Sequence, residues 1–481
     1  MIKAEKLAGL QPERVFAYFE KICSIPHGTY HCQEICDYLV SFAEEHGLRY
    51  IRDEANNLII FKPASAGYEE HEPVILQGHM DMVCQKNEGV CIDMRTQSID
   101  VTHDGEYVYA KGTTLGADDG DSIAMILSIL EDETAAHPPL EIVITADEEV
   151  GLTGANAIDL RMLNGRRMLN LDTHNDKVMN AGCAGGACVK LEMPVQREAF
   201  SGARLRITIE GLRGGHSGSM IGDNRANANK KLAELLLQIH SLTPIRIESM
   251  SGGAAGNVIP SVAQAVIACD TSVAQQVNDL CNNFAKQLRS DYDEPNAVVM
   301  TALLPDAENA VLSLESTVGV LTAIHDLPNG VQQWSPDFEG LPLLSLNLGV
   351  VELGDRLSLL CNLRSGVNEI RQGLQDALKI FAEKYGCSYS EFGIYSAWEY
   401  RKDSPLRETL LRLYQAHYGG MPTVRVIHAG LECGVLSEKI PNLDCVSMGP
   451  TACDIHTTRE RMDIASVQKF YLFLREVLET L

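Results

Sequence analysis

Three short apolar runs, Pro73–Gln77, Leu140–Thr145 and Arg167–Leu171, each stop just before side chains that can ligate a divalent metal. His79 and Asp81 follow the first run, Glu148 and Glu149 the second, and Asp172 the third. Runs of this length, rich in Ile, Leu and Val and bounded by polar residues, read as strands, as does Asn57–Phe61. The spacing predicts helices between them, over Tyr18–His46 and over Asp121–Glu133, where Ile123, Ile126, Leu127 and Leu130 share one face. Strands alternating with helices specify an α/β sheet covered on both faces. In open α/β sheets ligands collect beyond the carboxyl ends of strands, so the loops that carry these side chains are expected to converge.

Each candidate has a structural alternative. A short His-x-Asp such as His79-x-Asp81 arises by chance, yet at a strand end it fits a metal-bound imidazole oriented by a carboxylate. Asp118-Asp119, between Gly116 and Gly120, would serve as an acidic cap for the helix that follows. A carboxylate at that entrance also has two oxygens with which to span two cations. Glu148-Glu149 is the most informative pair, because adjacent carboxylates at a buried strand end raise each other's pKa unless cations neutralise them. One of the two can ligate metal while its neighbour handles protons. His456, near the C-terminus, completes a set of imidazoles and carboxylates that suits zinc, and a shared carboxylate suits two zincs.

A chain of 481 residues, 45% of them hydrophobic, is too long for one core and is expected to form two domains. The composition shifts near Cys183–Gly186. Beyond it, Leu205, Ile207 and Ile209 alternate with polar residues, Leu232–Ile239 is an amphipathic helix, and Leu343–Leu353 and Arg356–Leu363 form a hairpin across Gly354-Asp355. This region reads as an α+β insert. Leu406–His417, Leu443–Met448 and Ile464–Leu478 then return to the first domain as helix, strand and helix. Forty Lys and Arg against sixty-five Asp and Glu give a net charge of −25, which repels phosphate backbones and anionic lipid, so neither nucleic acid nor a membrane is an expected partner. No run approaches the ~18 apolar residues of a membrane span. Met1–Ile25 reads as an amphipathic helix, not a signal peptide, which places the protein in the cytoplasm. Fourteen cysteines without paired short spacings read as buried free thiols.

The segments Cys23–His27, Gly112–Asp118, Gly182–Gly186, Gly214–Gly218 and His428–Gly434, together with the ligand set, resemble the di-zinc amidohydrolase and peptidase family of aminoacylases, peptidase T and glutamate carboxypeptidases. The likeness runs essentially end to end and is strongest to its bacterial dipeptidases acting on Xaa-His substrates. It implies that His79 and Asp172 hold one zinc and Glu149 and His456 the other, with Asp118 bridging. Asp81 would orient His79, and Glu148 would be the general acid/base for a metal-bridged hydroxide. In the family the residues matching Asp118-Asp119 are joined by a cis peptide; Asp119 stands where the dipeptidases carry Asn. His216, Asn257 and Arg364 match insert-domain positions that bind substrate, the last two through its terminal carboxylate; a strand-edge surface role is the alternative for Arg364.

The resulting expectation is a cytoplasmic α/β enzyme with a mixed sheet flanked by helices on both faces and an inserted α+β lid. The catalytic domain spans 1–183 and 396–481, and the lid, through which the resemblance implies homodimerisation, spans 184–395. It would use two Zn2+ per chain, with Co2+ or Mn2+ as substitutes, to hydrolyse Xaa-His and other unblocked dipeptides. An N-acyl-amino-acid deacylase or carboxypeptidase on the same scaffold is the alternative.

Overall fold

The computed structural model describes residues 2–305 and 309–481. They form two compact units. The first takes the chain up to Cys183, Tyr400–Val426 and Leu431–Leu481; the second takes Ala184–Glu399 and Ile427–Gly430.

The first unit is built on an eight-stranded mixed sheet in the order Arg49–Arg52, Leu58–Lys62, Leu140–Thr145, Val74–His79, Arg167–Asn170, Asp444–Ser447, Val178–Cys183, Thr423–Ile427. Its four central strands, from Leu140–Thr145 to Asp444–Ser447, run parallel, so their carboxyl ends share one edge. All six residues of Val74–His79 and of Leu140–Thr145 are buried. Successive side chains on a strand point to opposite faces, so burial of every position means that both faces are covered. Val74 and Leu76 join the core formed with helices Glu13–Cys23, Ala117–Glu131 and Ile464–Thr480, while Ile75 is buried on the other side.

A smaller four-stranded sheet matters for the site. The hairpin Ala452–Cys453/Arg461–Asp463 carries His456 in its loop, and Arg461–Asp463 pairs with Tyr107–Ala110, which leads into the entrance of the Ala117–Glu131 helix.

Two sequence expectations need correction. Tyr18–His46 is not one helix but two, Glu13–Cys23 and Gln33–Glu45. The intervening segment holds Pro26 and a positive-φ Tyr30 (67°), and is drawn aside by bonds from Thr29 Oγ1 to Asp81 (2.9 Å) and from Tyr30 N–H to Asp147 (2.6 Å). Before Glu13 the described chain is turn rather than amphipathic helix, because the Glu20 carboxylate gathers the N–H groups of Glu5, Lys6 and Leu7 at 2.9–3.1 Å and Leu7 is buried.

The second unit is an antiparallel α+β assembly. Its nine-stranded sheet runs Val298–Leu304, Ala203–Glu210, Ala263–Cys269, Arg246–Gly252, Pro342–Leu353, Arg356–Ser365, Gly185–Pro194, Ser388–Tyr395, with Gly330–Trp334 also paired to Pro342–Leu353. Leu205, Ile207 and Ile209 are buried while Arg206 is exposed, the alternation of a sheet with one covered face. The helices Ala228–Leu242, Leu314–Asp326 and Asn368–Tyr385 contribute to the core of this unit. None of the fourteen cysteines, all among the described residues, is in a disulfide.

Leu76, fully buried in a central strand, is the simplest probe of this frame. Leu76→Ala is expected to lower the unfolding free energy by about 2–5 kcal/mol, from lost transfer energy and the residual cavity. Equilibrium denaturation measures it, and a loss below about 1 kcal/mol would contradict the packing described.

Candidate metal centre

At the carboxyl edge of the first unit's sheet, three sets of ligand atoms converge, each within 4.8 Å: His79 with Asp118 and Asp172, His79 with Glu148 and Glu149, and Asp118 with Glu149 and His456. Asp118 stands at the middle. His79 Nε2 lies 2.9 Å from its Oδ1 and His456 Nε2 lies 3.0 Å from its Oδ2, so its two oxygens face in two directions. His456 Nε2 is also 2.8 Å from Glu149 Oε1.

Local sequence explains how Asp118 is presented. Gly116 adopts a left-handed conformation (φ 73°), open to glycine at little cost, and the Asp118-Asp119 peptide is cis. The Glu460 carboxylate, itself 3% exposed, accepts the N–H groups of Leu115, Gly116, Ala117 and Asp118 at 2.8–3.4 Å. An anion held by the orphan amides of a helix entrance is a favourable arrangement, and here it ties the His456 loop to the Asp118 turn. Asp119 turns inward, and its Oδ2 accepts the His79 N–H at 3.0 Å. Gly78 leaves room for that carboxylate, since a Cβ there would collide with it.

Asp81 organises the opposite side. Its carboxylate accepts the N–H groups of Glu148 (2.9 Å) and Glu149 (3.4 Å) and the Thr29 hydroxyl (2.9 Å), which fixes the Glu pair. His79 Nδ1 meets the Asp81 main-chain oxygen at 3.0 Å, with the carboxylate at 3.5 Å. Asp172 is held by its own loop, where Thr173 Oγ1 is 2.6 Å from Ser447 Oγ and accepts Asn180 Nδ2 at 2.8 Å.

Four residues that sequence reasoning did not assign belong here. His174 Nε2 lies 3.2 Å from Asp172 and 3.3 Å from Asp118. It sits two residues after a strand-end ligand, the same spacing that drew attention to His79 and Asp81. Glu460 lies in the same loop as His456. Glu432, fully buried in the His428–Gly434 segment, accepts Gln77 Nε2 and Thr145 Oγ1, both at 2.6 Å. Asp121, also buried, is the fourth.

The electrostatics follow from crowding. Burial works against the charge of Asp118, but His174, His456 and His79 outweigh it and hold the carboxyl well below the usual range. Burial likewise opposes charge on His79, and Asp118 and Asp81 overcome it and raise its pKa. Glu148 is pushed well above the carboxylate range, first by burial and then by Asp172, Glu432 and Glu149, with His79 opposing. Asp119 is raised by burial and by Asp172. Among the described residues no Lys or Arg pairs with these acids, and Asp119 Oδ1, Asp121 Oδ2 and Glu432 Oε1 are buried without hydrogen-bond partners. Buried carboxyl groups in such excess take up protons or cations, and the donor set of imidazole nitrogen and carboxylate oxygen fits divalent ions at two sites that share Asp118.

The second unit places His216 and Asn257 side by side, through a short ladder pairing Gly215–His216 with Val258–Ile259 and a bond from Ser217 N–H to Asn257 O (2.9 Å). Arg364 lies on the Arg356–Ser365 strand and is 6% exposed, which contradicts a surface role for it. The His216 imidazole is shifted down by burial and then by Arg364.

The family model described as the peptidase dimerisation domain of M20 peptidases matches residues 197–296. The cytosol non-specific dipeptidase of Escherichia coli K12 is 34% identical over 480 residues, 98% of this chain and 99% of that protein. The crystal structure of aminoacylhistidine dipeptidase from Vibrio alginolyticus superposes with a TM-score of 0.92 at 34% identity, covering 99% of this chain and 98% of that one. Aminopeptidase PepT from Bacillus cereus, at 16% identity and a TM-score of 0.56 over 98% of both chains, shares the fold.

The cluster predicts how the metal-free protein responds to pH. His456 is raised to about 10 by its bonds to Asp118 and Glu149, against burial, and burial first of all pushes Glu432 and Asp121 up to about 7. For His456 the folded value lies above the ordinary ~6.5, so its stabilisation is complete below that pH and is lost as pH rises toward the folded value. The raised carboxyls act in the same sense, binding protons in the fold that the unfolded chain has released, and their contribution disappears through neutrality. Chelated protein is therefore expected to lose thermal stability steadily from about pH 5 to about pH 10, and metal-loaded protein to lose less. Melting temperatures of both forms across that range test this; a chelated form that grows more stable with pH would contradict it.

Proposed function

This chain belongs to the M20 family of metallopeptidases and is a dipeptidase, and from that premise we propose a di-zinc enzyme hydrolysing unblocked dipeptides, Xaa-His among them. The observation that carries this reading is the sharing of Asp118 between two ligand sets, with the half-buried Glu148 beside His79 and Glu149. His79, Asp118 and Asp172 would hold one ion, and Asp118, Glu149 and His456 the other. When bound, the two ions supply Lewis-acid polarisation of the scissile carbonyl and acidify a water.

The remaining chemistry falls to side chains. Glu148 takes the proton of the attacking water and returns it to the leaving amine; burial among other carboxyls favours the protonated state that the second half of this exchange requires. Asp81 holds Glu148 and Glu149 through their amides, so that one faces the ions and the other the reacting water. Glu460 sets the Asp118 turn against the His456 loop. In the second unit, which we read as the lid, Arg364 and Asn257 receive the substrate's terminal carboxylate and His216 assists at the carbonyl oxygen. A buried guanidinium that no Asp or Glu pairs with, among the described residues, is suited to an incoming anion.

A homodimer through the second unit is supported by the dimerisation-domain match at residues 197–296. A cytoplasmic location is supported by the word cytosol in the name of the E. coli relative. No helix among the described residues is long and apolar enough to cross a membrane.

Glu148→Gln keeps the shape of the side chain but cannot hold the water's proton, so turnover is expected to fall by ~100-fold or more with metal content retained. Glu149→Gln is expected to lower the occupancy of one site. Metal stoichiometry measured beside turnover separates them, and the reverse pattern would exchange their roles. A panel of Xaa-His dipeptides, other free dipeptides and N-acetyl amino acids tests the substrate class: free dipeptides should be cleaved, and a preference for the acylated compounds would overturn the reading.

A further inference from the structure

The glycines of two sequence segments, Gly182–Gly186 and His428–Gly434, supply no ligand and no proton-transfer group. Three of them share one neighbour, Tyr395. A Cβ on Gly186 would lie 2.6–2.8 Å from Tyr395 Oη, Cζ and Cε1, one on Gly430 would lie 2.7 Å from Cε2, and one on Gly185 would lie 2.7 Å from the Tyr395 carbonyl oxygen. Real carbon atoms do not approach so closely, so a side chain at any of the three would displace Tyr395.

The sheet register shows what the space is for. Gly186 is paired with Arg364 on one neighbouring strand and with Tyr395 on the other. Arg364 and Tyr395 are therefore two strands apart, about 10 Å in the hydrogen-bonding direction, with a residue lacking a side chain between them. The Tyr395 ring spans that gap, and its Oη accepts a hydrogen bond from Arg364 Nη1 at 2.9 Å. Arg371, from the Asn368–Tyr385 helix, donates to the carbonyl oxygens of Tyr395 and Gly186 and so fixes the main chain beneath the ring.

Arg364 Nε is buried without a hydrogen-bond partner, and no acid among the described residues forms a salt bridge with Arg364. On its other flank Ser345 is the paired residue, and Ser345 Oγ lies 2.7 Å from His428 Nε2. Asp or Glu in place of Tyr395 would cancel the positive charge; a phenol orients it and leaves it.

We propose that Tyr395 is a positioning residue for substrate binding: carried across Gly186, its hydroxyl sets the direction in which Arg364 presents its N–H groups to the dipeptide's terminal carboxylate. The proposal rests on the reading of Arg364 given above. Its consequence is selective, because only substrates with a free carboxylate feel the direction of the guanidinium.

The test is steady-state kinetics on a free dipeptide and on its C-terminal amide, for the metal-loaded enzyme and its Tyr395→Phe, Arg364→Ala and doubly substituted variants. Tyr395→Phe keeps the ring and removes one hydrogen bond, so KM for the free dipeptide should rise about five- to tenfold with kcat little changed. KM for the amide should not move, and the double variant should be no worse than Arg364→Ala alone, since the proposed role of the hydroxyl is exerted through Arg364. Gly186→Ala, which pushes the ring aside, should reproduce the Tyr395→Phe pattern. If Arg364→Ala raises KM for the free dipeptide selectively but Tyr395→Phe does not, the positioning role is overturned and the reading of Arg364 stands. If Tyr395→Phe raises KM for both substrates alike, the residue is structural and the proposal fails. If Arg364→Ala affects both substrates alike, the reading of Arg364 fails and the proposal with it.

Discussion

Repulsion among buried carboxyl groups is the constraint around which the first unit is organised. Asp81, Asp118, Asp119, Asp121, Glu148, Asp172 and Glu432 meet at one sheet edge with His79, His174 and His456, and among the described residues no Lys or Arg pairs with them. Left to themselves such groups take up protons, as the raised pKa values of Glu148, Asp119 and Glu432 indicate. Two divalent ions would resolve the conflict directly. The protein's contribution is to hold the acids in place against their repulsion, which it does with neutral donors: amides for Glu460 and Asp81, and Gln77, Thr145 and Thr29 hydrogen bonds for Glu432 and Asp81. Neutral donors fix position without removing the charge that attracts the metal.

The two units arrange their polar side chains with different kinds of sheet. Parallel strands present all their loops at one edge, which suits a centre that needs ligands from several places in the chain. The antiparallel sheet of the second unit instead places side chains next to one another across strands, and there a single cation, Arg364, is held by what its lateral neighbours carry or lack.

Much of the first unit could be read from the chain because strand-end ligands combine a periodic signal with a chemical one. Leu140–Thr145 matches its strand residue for residue, and His79, Glu149, Asp118, Asp172 and His456 do come together. What could not be read depends on tertiary adjacency. The break at residues 24–32 is enforced by bonds to Asp81 and Asp147, which no local pattern announces. Glu460 looks like any surface acid until four amides are seen to converge on it. Tyr395 gains its meaning only from register, since nothing in the sequence pairs it with Gly186 or sets Arg364 beyond. His174 was within reach of the same spacing argument used for His79.

The most direct test of the central claim is anomalous diffraction from zinc-loaded crystals, with data collected on either side of the zinc edge. Two peaks are expected, one among His79, Asp118 and Asp172 and the other among Asp118, Glu149 and His456, with both oxygens of Asp118 engaged. A single peak, or peaks whose surroundings omit Asp118, would contradict a centre organised around one shared carboxylate.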